Sequence, residues 1–138
     1  MRWTSERART AFIESRVARL ATVSADGQPH CVPVTFAVEG DTAAIAIDHK
    51  PKSTMRLKRL SNIEQNPKVC LLADEYSDEW SRLWWARADG TAYVVHEGEP
   101  RDRALAQLLD RYREYRAAPP TGPVILIEVF RWSGWSAT

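Results

Sequence analysis

An Asp26-Gly27 pair lying between two runs rich in β-branched and apolar residues constrains this chain more than any other feature. Such a pair fits a tight hairpin turn, whose backbone needs positive φ angles that glycine adopts without steric cost. The flanking runs, 18–25 and 28–38, are therefore expected as adjacent antiparallel strands. Pro29 and Pro33 have no N–H to give a ladder, which puts the second run at an edge or at a bulge.

The same punctuation continues along the chain. Glu39-Gly40-Asp41 turns into a third strand at 42–48, Asn66-Pro67 precedes a fourth at 68–75, and Tyr76 to Ser81 reads as a polar loop. A long fifth strand spans 82–95, with Asp89-Gly90 read as a bulge, and a sixth spans 124–132 after the proline-rich 119–123 stretch. Helices are expected at 4–16, with Thr4 or Ser5 as N-cap, at 53–62, capped by Ser53, and at 101–116. The last is the clearest, because Leu105, Leu108, Leu109 and Tyr112 recur at helical spacing. Six strands interrupted by three helices imply a mainly β domain over residues 1–138, a six-stranded antiparallel barrel with α insertions.

Strand parity divides the faces. On the second strand Val32, Val34, Phe36 and Val38 share one side, and Cys31, Pro33, Thr35 and Ala37 share the other. On the third, Ile45 and Ile47 oppose Ala44, Ala46 and Asp48. The bulky sides belong inside. The small sides suit either a flat ring approaching the backbone or a helix packed on them.

After the third strand come Lys50, Lys52, Arg56, Lys58 and Arg59, five cations at an expected helix start. Positive side chains there oppose the helix dipole at roughly 0.3–1 kcal/mol each unless an anion answers them. Lys52, Arg56 and Arg59 form one stripe, and Ser53 and Thr54 add hydroxyls and free N–H groups, which together make a phosphate cradle. The alternative is a solvated helix face.

Other chemistries find less support. Residues 1–69 hold 11 Lys+Arg against 7 Asp+Glu and residues 70–138 hold 8 against 11, so the basic character is local and a nucleic-acid surface is not expected. Cys31 and Cys70 are 39 positions apart in strand-like runs, which reads as two reduced core thiols. His30, His49 and His96 have no second ligand at metal-site spacing, so no metal is expected. Pairing Ser24 or Cys31 with His30 or His49 is the best hydrolytic arrangement, but no nucleophile motif surrounds them. No stretch is long and apolar enough to be a membrane span or a signal-peptide core, and the cytoplasm is the expected compartment. Six tryptophans exceed what a small core readily buries, so some are expected to cover a partner subunit or a ligand. Arg87, on the face with Leu83 and Trp85, has two expected partners: an anion across a dimer interface, or Glu128.

The segments 18–36, Lys-Pro-Lys-Ser-Thr at 50–54, Asn-Ile-Glu-Gln-Asn-Pro-Lys-Val at 62–69 and Trp-Trp-Ala-Arg-Ala-Asp-Gly-Thr-Ala at 84–92 resemble the pyridoxamine 5′-phosphate oxidase-like split-barrel superfamily. Within it the chain is most similar to the deazaflavin (coenzyme F420)-dependent oxidoreductases. The resemblance implies a split barrel of the FMN-binding type, a homodimer with cofactor grooves at its interface, and hydride transfer between the reduced cofactor and a small unsaturated or conjugated molecule. FMN is the alternative cofactor, and a flavin or haem carrier or sensor without turnover the alternative function. Carried onto this chain, the ring would border Pro33, Val34 and Thr35. The phosphate would lie at Asp48, Lys50, Lys52, Ser53 and Thr54, with Arg56 beyond them and with Trp85 and Arg87 reaching across from the partner. The helix after Lys52 is longer than the family's usual Lys-x-x-Asn-Leu turn, so Arg56, Lys58 and Arg59 have no assigned counterpart. A hydride-carrying cofactor also accounts for the lack of an acid/base motif, since the protein then needs only to hold, shield and position.

Overall fold

The computed structural model describes residues 1–47 and 54–138, and for 54–57 the backbone alone. Helix α1 (Ser5–Glu14) begins where the Thr4 hydroxyl accepts the Arg7 N–H at 3.2 Å. There follow β1 (Ala18–Val23), β2 (Pro29–Val34), β3 (Ala37–Glu39), β4 (Thr42–Ala46), α2 (Thr54–Gln65), β5 (Lys68–Glu75) and β6 (Trp84–Val95). The chain then forms α3 (Glu99–Arg111), α4 (Arg113–Ala117) and β7 (Val124–Ser136).

All seven strands form one antiparallel sheet in the order β2-β1-β5-β6-β7-β4-β3. The expected count of six is corrected here. The run 28–38 is two strands, because its first half pairs with β1 while its second half pairs with β4 at the opposite edge of the sheet. Val34 and Ala37 are three residues apart, so the two edges lie within about 11 Å of each other. Only a sheet rolled into a barrel satisfies that, and residues 35–36 bridge its split.

The hairpin at Asp26-Gly27 forms with Gly27 at φ 88°, and the register shifts between Asp89 and Gly90 as a bulge does. A side chain at Gly90 would lie 2.6 Å from the Glu128 carbonyl, so the close approach of β6 to β7 depends on glycine. Inside the barrel pack Leu20, Leu71, Ile125 and Ile127 together with Val34, Phe36 and Ile45, which strand parity assigned there. Phe12 of α1 is fully buried against Phe36 and Trp132, at ring distances of 4.7 and 5.5 Å, and so plugs one opening. At the other, Ile63 of α2 joins the core and Asn62 donates to the buried Thr22 hydroxyl at 3.0 Å.

Outside, helix α3 lays Ala104 and Leu108 over Ala37, Ala44, Ala46, Val124 and Leu126. The small face of β4 is therefore covered by a helix and not by a ring. The expected helix at 101–116 breaks at Tyr112, whose backbone is extended, φ −121° and ψ 118°, while its side chain is buried. Cys31 is exposed and Cys70 half-buried, so neither is the core thiol expected of it. They lie on the outer face of the sheet, because both pair with Ala21 from opposite sides; among the described residues α3 packs on that face over β3, β4 and the Val124–Leu126 end of β7.

Candidate functional site

A groove of about 240 Å³ opens where the chain crosses from β2 to β3. Pro33, Val34, Ile45 and Ala46 give it apolar walls; Thr35, Tyr115 and Arg59 give it polar ones. The Thr35 Oγ1 and Tyr115 Oη atoms are 2.7 Å apart in a hydrogen bond that either can donate. Behind them the Tyr112 and Tyr115 rings meet edge to face at 5.7 Å. The Tyr112 hydroxyl accepts the Phe36 N–H at 3.2 Å and shares its own proton with the carbonyls of Arg16, at 2.9 Å, and Phe36, at 3.0 Å. The crossover that floors the groove is thus pinned from α3 and α4, which explains why α3 stops at Tyr112.

Of the residues expected at a cofactor, the fold brings Pro33, Val34 and Thr35 to this groove. Asp48, Lys50, Lys52 and Ser53 lie outside the described residues, as do the side chains of Thr54 and Arg56. Arg59, expected in the cationic stripe but without an assigned counterpart in the family, lines the groove from the second turn of α2, while Lys58 is exposed. Tyr115 was missed altogether. Its only sequence signal is the i, i+3 spacing from Tyr112, and that spacing says nothing of Thr35, 80 positions earlier.

Trp85 and Arg87 lie elsewhere. They line a second depression of about 490 Å³ on the outer face of β6 and β7, together with Arg131, Ser133 and Trp135. Arg87 Nε donates to Asp89 Oδ2 at 3.2 Å, and Arg131 donates to the same oxygen at 3.1 and 3.2 Å, so Glu128 is not the partner of Arg87. The Arg87 guanidinium also lies 5.5 Å from the Trp85 ring centroid. Pro33, Arg19, Leu72 and Arg87 are successive register partners across β2, β1, β5 and β6. Three strand spacings of about 4.8 Å put Arg87 roughly 14 Å from Pro33 within one chain. Beside this row, burial and then the Asp89 charge push the Cys70 thiol above its ordinary pKa, which keeps it protonated and unreactive at neutral pH.

The donor set of the groove suits a planar, oxygen-rich ligand: apolar walls for the ring faces, and a guanidinium with two hydroxyls for the edge. Its volume is below the roughly 300–1,000 Å³ of complete small-molecule sites, so the described lining makes up part of such a site. Among the described residues no three His, Cys, Asp or Glu side chains gather as a metal site would require, and no helix is long and apolar enough to cross a membrane.

Comparison with known proteins agrees with this architecture. The sequence pattern of the pyridoxamine 5′-phosphate oxidase family matches residues 4–136. A 5a,11a-dehydrotetracycline/5a,11a-dehydrooxytetracycline reductase of Streptomyces rimosus is 35% identical over 57 residues, which is 41% of this chain and 39% of that protein. The crystal structure of a FAD-binding protein from Mesorhizobium loti superposes with a TM-score of 0.77 at 20% identity, covering 100% of this chain and 98% of the other. A haem-binding protein from Mycobacterium smegmatis superposes at 0.74 with 21% identity, covering 95% of this chain and 53% of that one. At such identities the two structures establish the fold alone.

Proposed function

The chain belongs to the pyridoxamine 5′-phosphate oxidase family, and from that premise we propose that it is an oxidoreductase holding a flavin-type cofactor in the groove between Pro33 and Tyr115. The observation that carries this reading is the placement of Arg59 and two hydroxyls at the edge of an otherwise apolar groove. Bound in its reduced form, a flavin or deazaflavin would supply a hydride, two electrons and one proton, to one carbon of the unsaturated bond and become oxidised, while the neighbouring carbon takes a proton from solvent. The protein's part is to present flat walls, exclude water from the ring face and hold the anionic end of the cofactor with cations. Arg59 does the last of these from within the groove, and Lys50, Lys52, Ser53 and Thr54, whose side chains lie outside the described residues, are the ones that the family resemblance implies at the phosphate. Coenzyme F420 is our choice of cofactor, with FMN as the alternative. The acceptor is a small unsaturated or conjugated molecule, a reading supported by the reductase activity named for the partly matching Streptomyces protein.

We place a second copy of the chain against the outer face around Trp85 and Arg87. The described lining of the groove makes up part of a cofactor site, and the cation and indoles at Trp85 and Arg87, remote within one chain, are suited to supply a further wall from a partner. Titration with F420 and with FMN, followed by cofactor fluorescence, tests the assignment. Binding of F420 in the micromolar range or tighter, with turnover of an α,β-unsaturated ketone, is the expected result. Binding of FMN alone would overturn the choice of F420; binding without turnover would make the protein a carrier; binding of neither would remove the oxidoreductase reading.

A further inference from the structure

We propose that the Thr35–Tyr115 hydroxyl pair reads the imide edge of a flat heterocycle, the –CO–NH–CO– side of a pyrimidinedione ring, and so selects what the groove accepts. This rests on the groove being the ring site. Two hydroxyls carry two protons between them, and one of these is consumed in the 2.7 Å bond that joins them. Whichever oxygen donates that bond faces the groove with lone pairs only, and the other faces it with an O–H. The pair therefore presents a donor directly beside an acceptor. An imide edge presents an acceptor carbonyl directly beside a donor N–H, at nearly the same spacing, and is the complement of the pair.

The pair also adapts. Because either oxygen can donate, reversing the internal bond exchanges donor and acceptor, so the edge is matched whichever carbonyl of the imide it meets. What does not adapt is its position: Tyr115 is backed by the Tyr112 ring, and Thr35 is tied to the crossover whose Phe36 backbone Tyr112 binds. An edge with its N–H replaced by a methyl group leaves the acceptor oxygen of the pair facing carbon, the unpaired polar contact that is most costly in a half-buried site. Arg59, on the same groove, donates only and cannot substitute for the acceptor.

Lumichrome, a flat ring carrying the imide edge without phosphate or ribityl chain, and its N3-methyl derivative are the probes. Fluorescence titration of the wild-type protein should show lumichrome binding about tenfold more tightly than the methylated ring. In the Thr35→Val, Tyr115→Phe double variant, which keeps side-chain shape, the two rings should bind within about twofold of each other. A melting curve of the variant shows that it is folded. Equal binding of the two rings to the wild type, binding of neither, or full discrimination by the folded double variant would each overturn the proposal. FMN and F420 titrated in parallel test the cofactor reading separately, because a chain that binds either one without discriminating the lumichromes keeps that reading and loses this one.

Discussion

The Tyr112 hydroxyl and the Phe36 backbone satisfy each other twice, through the Phe36 N–H at 3.2 Å and the Phe36 carbonyl at 3.0 Å. The two residues are 76 positions apart, and their contact joins the outer helices to the segment that closes the barrel. Phe36 has no neighbouring strand at this point, since β2 ends at Val34 and β3 starts at Ala37. A buried amide that leaves one ladder before joining the next needs a side-chain partner.

Tyr112→Phe removes that partner with almost no change of shape. The expected loss is about 1–3 kcal/mol, the cost of leaving a buried donor unsatisfied. Urea denaturation of the two proteins measures it, and an unchanged midpoint would show that the hydroxyl is dispensable.

Arg59→Gln removes the charge and shortens the side chain while keeping a polar group at its end. Because the guanidinium lines the groove and a charge-assisted hydrogen bond is worth about 1.5–3 kcal/mol, cofactor affinity is expected to fall at least tenfold. Isothermal titration of both proteins with the bound cofactor decides it.

Gly90→Ala places a methyl group 2.6 Å from both the Glu128 carbonyl oxygen and an Ile127 methyl carbon, where β6 bulges against β7. Backbone on one side leaves nothing flexible to give way, so a destabilisation of about 2 kcal/mol or more is expected. At Gly122 the nearest atom would be 3.6 Å away, and the same substitution should cost less than about 1 kcal/mol. Thermal melts of the two variants compare them directly.

The hairpin turn carries a pH signature. The Ser24 hydroxyl, and after it the Gln28 N–H, donate to the Asp26 carboxylate and hold it below its ordinary pKa. A carboxyl depressed by folding stabilises the native state above its unfolded pKa and loses that contribution as pH falls through the folded value. The Gln28 amide resonance should therefore titrate with a midpoint below the usual carboxylate range. In Ser24→Ala the midpoint should rise toward that range; a midpoint unmoved by the substitution would disconnect the hydroxyl from the turn.

The alternation of Val32, Val34 and Phe36, the Asp26-Gly27 turn, the Thr4 cap and the Asp89-Gly90 bulge were legible in the sequence, because each depends on residues within a few positions of one another. The division of residues 28–38 between two edges of the sheet was not, since one alternating run looks the same whether it keeps a single neighbour or changes neighbours halfway. Small residues at Ala44 and Ala46 signalled a close approach but not what approached, and the answer, α3, lies some 60 positions further on. The five cations at 50–59 pointed to an anion from local electrostatics, yet only the packing of α2 on the barrel brought Arg59 to the groove. Tyr115 meets Thr35 for a similar reason: barrel closure, which depends on pairing at long range, brings 35 and 115 together where no local pattern could. Local pattern was enough for most of the elements, for the sidedness of β2 and β4 and for the family; the breaks at 35–36 and Tyr112, and which side chains share a site, follow from how the sheet closes and are visible only in the folded chain.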